Sequence, residues 1–500
     1  MLEKYCDILV VGNQLPGLVT AAFLARRGLS VQVIDSDLYL GHAKNPDPTC
    51  INKVQSTLFR SILGRLNVPE LTIQNLLNRD CVLQVVFPKH RIDISNNPLD
   101  YFEEIEREFP EHYSDIKAFY ETQSRLRHSI NVTDLFEHLI PGTWKEKSAF
   151  KKFIQNNALN DKSKEYLALL QKDPRLHHFF AAQYLLAYQQ TNTDPFAYQI
   201  STLFNPGDGE IFGIQSGLNN IKNILHERIT HYDGTIRKRA QLNSLLFRNG
   251  IFEGVEMDET NGIVLCKYII WNDSLDKLKD LLPKKWRFHK LKNHCLNNQF
   301  DFHWFTARFS VASQFIPEPC RSNVLVITDP QQELVGDNLL YLQIDRTPAS
   351  EKTLIHANFL LPKSALQEDE DFFDSYFASI RKNILQLMPF GEHTLELVFP
   401  IKSRDMPNDT LFPLMENDFE IMRHSAEKHG IVNQSEKNFA SLFKRHYKTP
   451  SPNFYVSHPS VFAGFGLDAN LMLGLKITDL IWQEVENVKK RAMKTERRIA

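Results

Sequence analysis

The sequence predicts an α/β protein organised around a βαβ unit at residues 7–35. Apolar runs at residues 8–11 and 31–34 are typical of two buried strands. Between them, residues 15–27 place their apolar side chains on one face of a helix that follows a turn at Gly12. Strand, glycine turn, helix and strand in this order form the unit from which Rossmann-like nucleotide-binding domains are built.

The same unit carries residue types that suit a dinucleotide. Gly12 and Gly17 stand at the first and third glycine positions of a G-x-G-x-x-G fingerprint, and Asp35 ends the second strand. The helix N-terminus offers N–H groups and partial positive charge to a pyrophosphate, and the carboxylate can accept hydrogen bonds from ribose hydroxyls. Gln14 replaces the second glycine, so its side chain turns aside, hydrogen-bonds the phosphate or blocks it. A Rossmann unit that binds no nucleotide is the alternative.

The composition limits the classes of protein to which the chain can belong. Five hundred residues are too many for one simple core, so two or three intertwined domains are expected. Charged residues make up 24% of the chain and hydrophobic residues 42%, which is globular, and the net charge of -2 gives no reason to expect nucleic acid. Six scattered cysteines without a CxxC pair fit reduced thiols in the cytoplasm and argue against a metal site or a disulfide framework.

Two further features concern membranes and apolar ligands. The sequence has no apolar run of about 18 residues that could span a membrane. The βαβ unit begins almost at Met1, from which we expect no signal peptide. The 35 phenylalanines fill a core or line an apolar substrate tunnel.

Periodicity of the apolar residues predicts the remaining elements. Helices are predicted at residues 51–66, 99–109, 113–126, 218–229, 371–388 and 471–488, and a longer helical tract at 148–190. Strands are predicted at residues 81–94 (as a hairpin), 235–237, 241–248, 251–257, 263–271, 291–312, 322–329, 338–345, 352–361, 392–401 and 460–468. The adjacent His177 and His178 lack partners at metal-ligand spacing and are interpreted as packed or surface imidazoles.

This order of elements resembles the phytoene-desaturase-like branch of the FAD-dependent amine oxidase superfamily, which also contains carotenoid isomerases and retinol saturases. The resemblance covers nearly the whole chain. Residues 85–110 resemble the family's region that leads into its substrate-cap helices, and residues 216–255 resemble its second adenine-side block. Residues 269–272 resemble the strand that ends this block. Ala463-Gly464 and the following helix resemble the C-terminal motif, whose helix points at the flavin ring and pyrophosphate.

The resemblance implies FAD as the cofactor, and it implies which residues hold it. Several positions depart from the family's pattern: Gln14 replaces a glycine, Gly41-His42-Ala43 stands for a GGR motif, and Ser216 replaces a glycine. Phe465 follows the C-terminal glycine, where Asp468 could substitute for the family's residue. The implied cofactor-binding residues are Gly12, Gln14, Gly17, Asp35, Gly41, His42, Leu242, Gly464, Phe465 and Asp468.

The resemblance also implies how the domains divide. Residues 1–44, 205–272 and 455–488 are expected to form a discontinuous FAD-binding domain. Residues 45–204 and 273–454 are expected to form an interleaved α+β substrate domain, a mixed sheet with a helical cap, before a basic tail at 489–500.

Three functions remain open from the sequence. The first is an FAD-dependent oxidoreductase acting on an apolar, isoprenoid or polyene substrate, without an identifiable catalytic residue because the cofactor carries the chemistry. The second is a binding or chaperone-like module that has lost FAD, as in Rab-escort and GDP-dissociation-inhibitor proteins, which share the superfamily fold. The third is an NAD(P)-dependent dehydrogenase, for which Asp35 would favour NAD. A lipophilic small-molecule partner is expected, which is compatible with peripheral membrane contact.

Overall fold

A computed structural model gives the structure of the protein. It describes residues 4–35, 50–78, 81–129, 144–156, 164–191, 196, 199–200, 203–204, 211–215, 217–238, 240, 242–257, 262–285, 288–297, 300–346, 350–401, 417–431, 447–462 and 466–499. The strands in these ranges are β1 (Lys4–Val11), β2 (Val31–Asp35), β3 (Cys50–Asn52), β4 (Leu77–Asn78), β5 (Leu83–Phe87), β6 (His90–Ile94), β7 (Ile211–Ile214), β8 (Thr235–Lys238), β9 (Leu242–Arg248), β10 (Ile251–Met257), β11 (Ile263–Trp271), β12 (Phe302–Ala312), β13 (Asn323–Ile327), β14 (Gly336–Asp345), β15 (Lys352–Pro362), β16 (Glu396–Phe399), β17 (Gly430–Ile431) and β18 (Phe454–Val456).

The α-helices of the same ranges surround these strands. They are α1 (Leu15–Arg26), α2 (Lys53–Arg65), α3 (Glu70–Leu76), α4 (Pro98–Glu108), α5 (Tyr113–Ser129), α6 (Trp144–Asn156), α7 (Lys164–Leu170), α8 (Pro174–Tyr188), α9 (Gly217–His231), α10 (Leu275–Leu281), α11 (His289–Asn297), α12 (Asp374–Leu387), α13 (Asp418–Lys428) and α14 (Gly466–Ile499). None of these described helices has the length and apolar character needed to cross a membrane.

The first sheet contains the βαβ unit predicted at the N-terminus. Its strand order is β8-β2-β1-β11-β10-β9, and β18 pairs with β11. The central strand β1 runs parallel to both neighbours, with Val10 opposite Val33 on one side and Ile270 on the other. All five residues of β2 are buried, as expected for a parallel strand that is covered on both faces. Helix α1 covers this sheet and packs against α9 and α14.

The second sheet has the order β16-β12-β15-β14-β13-β5-β6, with β17 paired to β12. Only the β13–β5 pairing is parallel; the other described pairings of this sheet are antiparallel. Side chains alternate between its faces, because successive residues of a strand point to opposite sides. Leu325 and Ile327 join a core with α4, α5 and α8, whereas Val324 and Val326 join a core with α12 and α13. The sheet is therefore apolar on both faces.

A small third sheet, β3-β7-β4, pairs residues on either side of α2 with β7. Both pairings are antiparallel, and Gly213 lies opposite Cys50 on one side and Asn78 on the other. Strands from all three segments of the predicted FAD-binding domain contribute to the first sheet, yet β7 pairs with strands of the predicted substrate domain. Where the two domains divide stays a prediction.

Two predicted elements are wrong. Residues 291–312 were expected to be one strand, but α11 precedes β12, because Leu291 and Cys295 are buried at helical spacing. No strand is described at 460–468: Pro459–Phe462 form a 3₁₀ turn, α14 begins at Gly466, and the neighbouring strand β18 lies earlier, at Phe454–Val456. The helical tract expected at 148–190 is confirmed in the described residues, where it contains α6, α7 and α8, with Pro174 at the start of the last.

The residues predicted as a basic tail continue α14. The helix runs from Gly466 to Ile499, where the sequence analysis ended it at Val488. Lysine, arginine, glutamate and alanine dominate its last two turns, and these residues favour helix even when they face solvent. Lys490 also pairs with Glu486 one turn earlier at 3.8 Å. Helix propensity therefore extends the element beyond its buried part.

Candidate dinucleotide site

The Gly12 turn connects β1 to α1 at the carboxyl edge of the first sheet. Its backbone has φ +108°, a conformation that favours glycine, and its N–H donates to the carbonyl of Ile34 at 2.8 Å. A Cβ atom at Gly12 would lie only 2.3 Å from the carbonyl oxygen of Asn272. The first glycine of the fingerprint is thus needed for the turn and for its contact with the residue that follows β11.

Asn272 binds this turn through its whole side chain. The amide nitrogen donates to the carbonyl of Gln14 at 2.6 Å, and the amide oxygen accepts from Gly17 N–H at 3.0 Å. The same oxygen accepts from the Ser457 hydroxyl at 3.0 Å, and Asn272 is fully buried. A Cβ atom at Gly17 would lie 2.3 Å from Cγ of Asn272. Both predicted glycines therefore have a packing role that does not depend on a nucleotide.

Gln14 is the N-cap residue of α1. Its backbone is extended, with φ -84° and ψ 154°, and its side chain makes no capping hydrogen bond. Pro16 has no N–H, and the N–H of Gly17 is occupied by Asn272. An anion at this helix terminus is left with the N–H groups that precede Pro16, together with the positive end of the helix dipole.

Asp35 ends β2 as predicted, and its side chain is buried, with 1% exposure. In the register of the sheet it lies opposite Lys238 of β8. Its carbonyl accepts from Ala240 N–H at 3.2 Å, which brings the start of β9 and the buried Leu242 towards the end of β2. The acid, the Gly12 turn and the N-terminus of α1 therefore share one edge of the sheet.

Two lysines and a histidine adjoin this edge, and the sequence analysis missed them. His226 of α9 donates from Nε2 to the side-chain oxygen of Asn13 at 2.9 Å. Burial, then the charges of Lys238 and Lys222, lower the pKa of His226 to about 4, so the imidazole is neutral at pH 7. Lys222 is itself 7% exposed. The signal in the sequence was a lysine within the apolar pattern of α9.

Asp468 lies in the first turn of α14, where the sequence analysis placed a substitute for the family's residue. Its side chain is 1% exposed, and neither carboxyl oxygen makes a hydrogen bond of normal length within the described chain. Burial raises the pKa of Asp468 to about 8, which the neighbouring amide of Gln55 offsets only in part. The oxygen of the Gln55 side-chain amide accepts a hydrogen bond from the N–H of Asn52. The carboxyl is therefore mostly protonated at pH 7.

The C-terminal helix packs closely on the βαβ unit. The Thr20 hydroxyl donates to the Gly474 carbonyl at 2.9 Å, and a Cβ atom at Gly474 would lie 2.5 Å from the Pro16 carbonyl oxygen. The predicted proximity of this helix to the first turns of α1 is therefore present. The remaining predicted residues Gly41, His42, Ser216, Gly464 and Phe465 lie outside the described residues. No cluster that could hold a metal ion occurs within the described parts of the chain.

Comparison with known proteins identifies the fold. No protein-family model matches the chain, and no curated protein matches it. An oxidoreductase from Methanosarcina mazei matches at a TM-score of 0.56 with 13% identity, over 95% of this chain and 100% of that one. A putrescine oxidase with redesigned cofactor binding matches at a TM-score of 0.54 with 12% identity, over 97% of this chain and 100% of that one.

The protein shares the fold of these oxidoreductases. The likeness confirms the predicted α/β fold, a Rossmann-type sheet with an interleaved α+β part. Because the identities are low, the likeness concerns the fold and not the substrate. The phytoene-desaturase-like branch stays a prediction.

Two helical glycines give a test of the packing role of Asn272. Gly17→Ala should lower the free energy of unfolding by about 1–3 kcal/mol, because its Cβ meets Asn272 in a filled core. Gly64→Ala in α2 is the control: its Cβ meets nothing within 4 Å. That change should raise the free energy of unfolding by about 0.5–1 kcal/mol through helix propensity. Urea unfolding of both variants without cofactor makes the measurement, and a neutral Gly17→Ala would contradict the close contact.

The buried carboxyl of Asp468 should make stability fall as pH rises. Its folded pKa of about 8 exceeds the unfolded value, so between about pH 4 and pH 8 the folded state holds a proton that the unfolded state has lost. The free energy of unfolding should decrease across this window by at most about 1.4 kcal/mol per pH unit from this group. Asp468→Asn should remove this part of the decrease.

Urea unfolding at several pH values measures the difference between the wild type and Asp468→Asn. Asp479→Asn is the matched control, since Asp479 lies on the same helix but is half-exposed and pairs with Arg27 at 3.3 Å. Its profile should follow that of the wild type. Parallel profiles for all three proteins would show that the Asp468 carboxyl is not protonated in the folded state.

Proposed function

We propose that the protein is an FAD-dependent oxidoreductase that binds the ADP part of FAD at the Gly12 turn. The observation that carries the proposal is the placement of the buried Asp35 carboxylate beside the N-terminus of α1, in a first sheet of Rossmann type. The shared fold with two oxidoreductases supports it. When bound, FAD would supply the redox chemistry by accepting a hydride at its flavin ring.

The described residues fit the two polar parts of an ADP group. Asp35 would accept hydrogen bonds from ribose hydroxyls. The N–H groups of Gln14 and Leu15, together with the helix dipole of α1, would meet the diphosphate. Lys222 and Lys238 add positive charge near the same turn, as their effect on His226 shows. The chain would thus bind and orient the cofactor through one edge of the first sheet.

The substrate proposed from the family resemblance is an apolar molecule of the isoprenoid or polyene type. The described aromatic residues to compare with this proposal lie in helices α5, α7 and α8. Phe119 and Phe180 have ring centroids 5.0 Å apart, and Tyr120 and Tyr166 pack against them. These rings pack in a core, and the apolar substrate rests on the resemblance alone.

A second candidate function is a binding module that has lost FAD. The arrangement around α1 favours it in one respect, because Asn272 takes the N–H of Gly17 and Gln14 stands where a glycine would let a diphosphate approach closely. The two functions differ in one measurable property, which is the flavin content of the purified protein. Stoichiometric FAD in the purified protein would rule out the binding module.

Replacing Asp35 should weaken FAD binding. Asp35→Ala removes charge-assisted hydrogen bonds to ribose, with an expected loss of about 1.5–3 kcal/mol, or roughly 10- to 150-fold in Kd. Asp7→Ala is the control: Asp7 lies in the middle of β1, beside the start of the β1–β2 pairing, and accepts from the Ser30 N–H and hydroxyl. Fluorescence titration with FAD gives both constants. An unchanged Kd for Asp35→Ala would remove Asp35 from the site.

Replacing Gln14 should distinguish the two functions. Its extended backbone does not need glycine, so Gln14→Gly changes only the side chain near the diphosphate. In a working flavoprotein, FAD should bind Gln14→Gly as tightly as the wild type or more tightly, because the smaller residue permits closer approach. Weaker FAD binding by Gln14→Gly would show that the Gln14 amide itself donates to the cofactor. If both proteins remain flavin-free with FAD in excess, the oxidoreductase proposal is wrong and the module remains.

A further inference from the structure

Two cysteines far apart in sequence meet beside the small third sheet. The sulfurs of Cys50 and Cys81 lie 3.0 Å apart, both as thiols. Cys50 is 2% exposed and Cys81 is 7% exposed. Thirty-one positions separate the two residues, so the contact comes from the fold and not from a CxxC-type spacing. The scattered cysteines seen in the sequence therefore include one adjacent pair.

The geometry of this pair is set by Gly213 of β7. Gly213 lies opposite Cys50 in the pairing of β3 with β7 and opposite Asn78 in the pairing of β4 with β7. A Cβ atom at Gly213 would lie 3.3 Å from Cβ of Cys81 and 3.5 Å from its sulfur. Because glycine leaves this space, the Cys81 side chain can lie over the sheet next to Cys50.

One member of the pair faces an open cleft. Cys81 lines a cavity of about 1080 Å³ whose wall also includes Arg60, Arg321 and Arg346. Arg321 pairs with Asp93 at 2.7 Å and Arg60 with Glu70 at 3.4 Å, while Arg346 donates to the Cys320 carbonyl. Glu318 is the one acid among the described lining residues of this cleft. The cleft therefore suits a small molecule that carries carboxylates.

We propose that Cys50 and Cys81 are a thiol–disulfide exchange site for small anionic disulfides, with glutathione disulfide as the probe. The Cys81 thiolate attacks one sulfur of the disulfide, forms a mixed disulfide and releases one glutathione thiolate. The Cys50 thiolate then attacks the Cys81 sulfur, closes the Cys50–Cys81 bond and releases the second glutathione. The two protein thiols are oxidised, the probe is reduced to two thiols, and these take up the two protons. This site is independent of the proposed flavin function.

The test is peptide mapping of the full chain after incubation with glutathione disulfide, with and without later reduction by dithiothreitol. The expected product is a cross-linked Cys50–Cys81 peptide that has lost two hydrogens and disappears on reduction. Cys6 and Cys266 provide an internal control: they are register partners on β1 and β11, and burial raises the pKa of both. They should remain thiols in the same digest.

Single variants separate the pair from the rest of the cleft. Cys50→Ser should stop at a mixed disulfide on Cys81, whereas Cys81→Ser should give no adduct on Cys50. Cys320→Ser is the matched control, since Cys320 lines the same cleft. It should form the cross-link at the wild-type rate. Only glutathionylated Cys81 in the wild type, a cross-link through Cys320, or no reaction at all would each overturn the proposal.

Arg346 in the cleft should increase the rate at which glutathione disulfide cross-links Cys50 and Cys81. Arg346→Gln should slow cross-linking by glutathione disulfide at least several-fold but leave the rate with the uncharged disulfide of 2-mercaptoethanol unchanged. Equal slowing of both reagents would show that the arginine supports the fold of the cleft and does not bind the anion. This comparison does not depend on whether the protein binds FAD.

Discussion

The side chain of Asn272 holds the centre of the first sheet together. Its two amide atoms bond the Gln14 carbonyl, the Gly17 N–H and the Ser457 hydroxyl, so one buried residue joins three chain segments. A buried amide with unsatisfied groups would be costly, and here both ends are used. Positions 12 and 17 need glycine, because a Cβ atom at either position would clash with Asn272. The turn that would meet a dinucleotide is therefore fixed by an internal contact.

This dependence changes what the glycines of the fingerprint mean. Glycine at the first position is needed for positive φ and at the third for contact with Asn272, so neither requires a phosphate. The nucleotide proposal therefore depends on groups other than these two glycines. Asp35 is a buried acid at a strand end, and Lys222 is a buried cation on a neighbouring helix.

Burial also decides the chemistry of the groups around the sheet edge. His226 and Asp468 both take their neutral forms at pH 7, the first because burial and nearby lysines disfavour imidazolium, the second because burial disfavours carboxylate. A neutral carboxyl at the N-terminus of α14 does not repel a diphosphate as a carboxylate would. The overall charge of -2 does not reveal either neutral form.

Sequence patterns alone predict the βαβ unit, most strands of both large sheets and the position of Asp35. These rest on local periodicity, since a run of apolar residues or a helical stripe is visible within about 5–15 residues. The sequence-based prediction is wrong at 291–297, where short helical and strand patterns look alike, and at 489–499, where residues that favour helix lack an apolar stripe. Tertiary structure is needed to place Asn272 against Gly17, Lys238 beside His226 and Cys50 beside Cys81. Each of these pairings joins residues through strand order or helix packing, which depends on the whole set of long-range contacts and leaves no spacing in the chain.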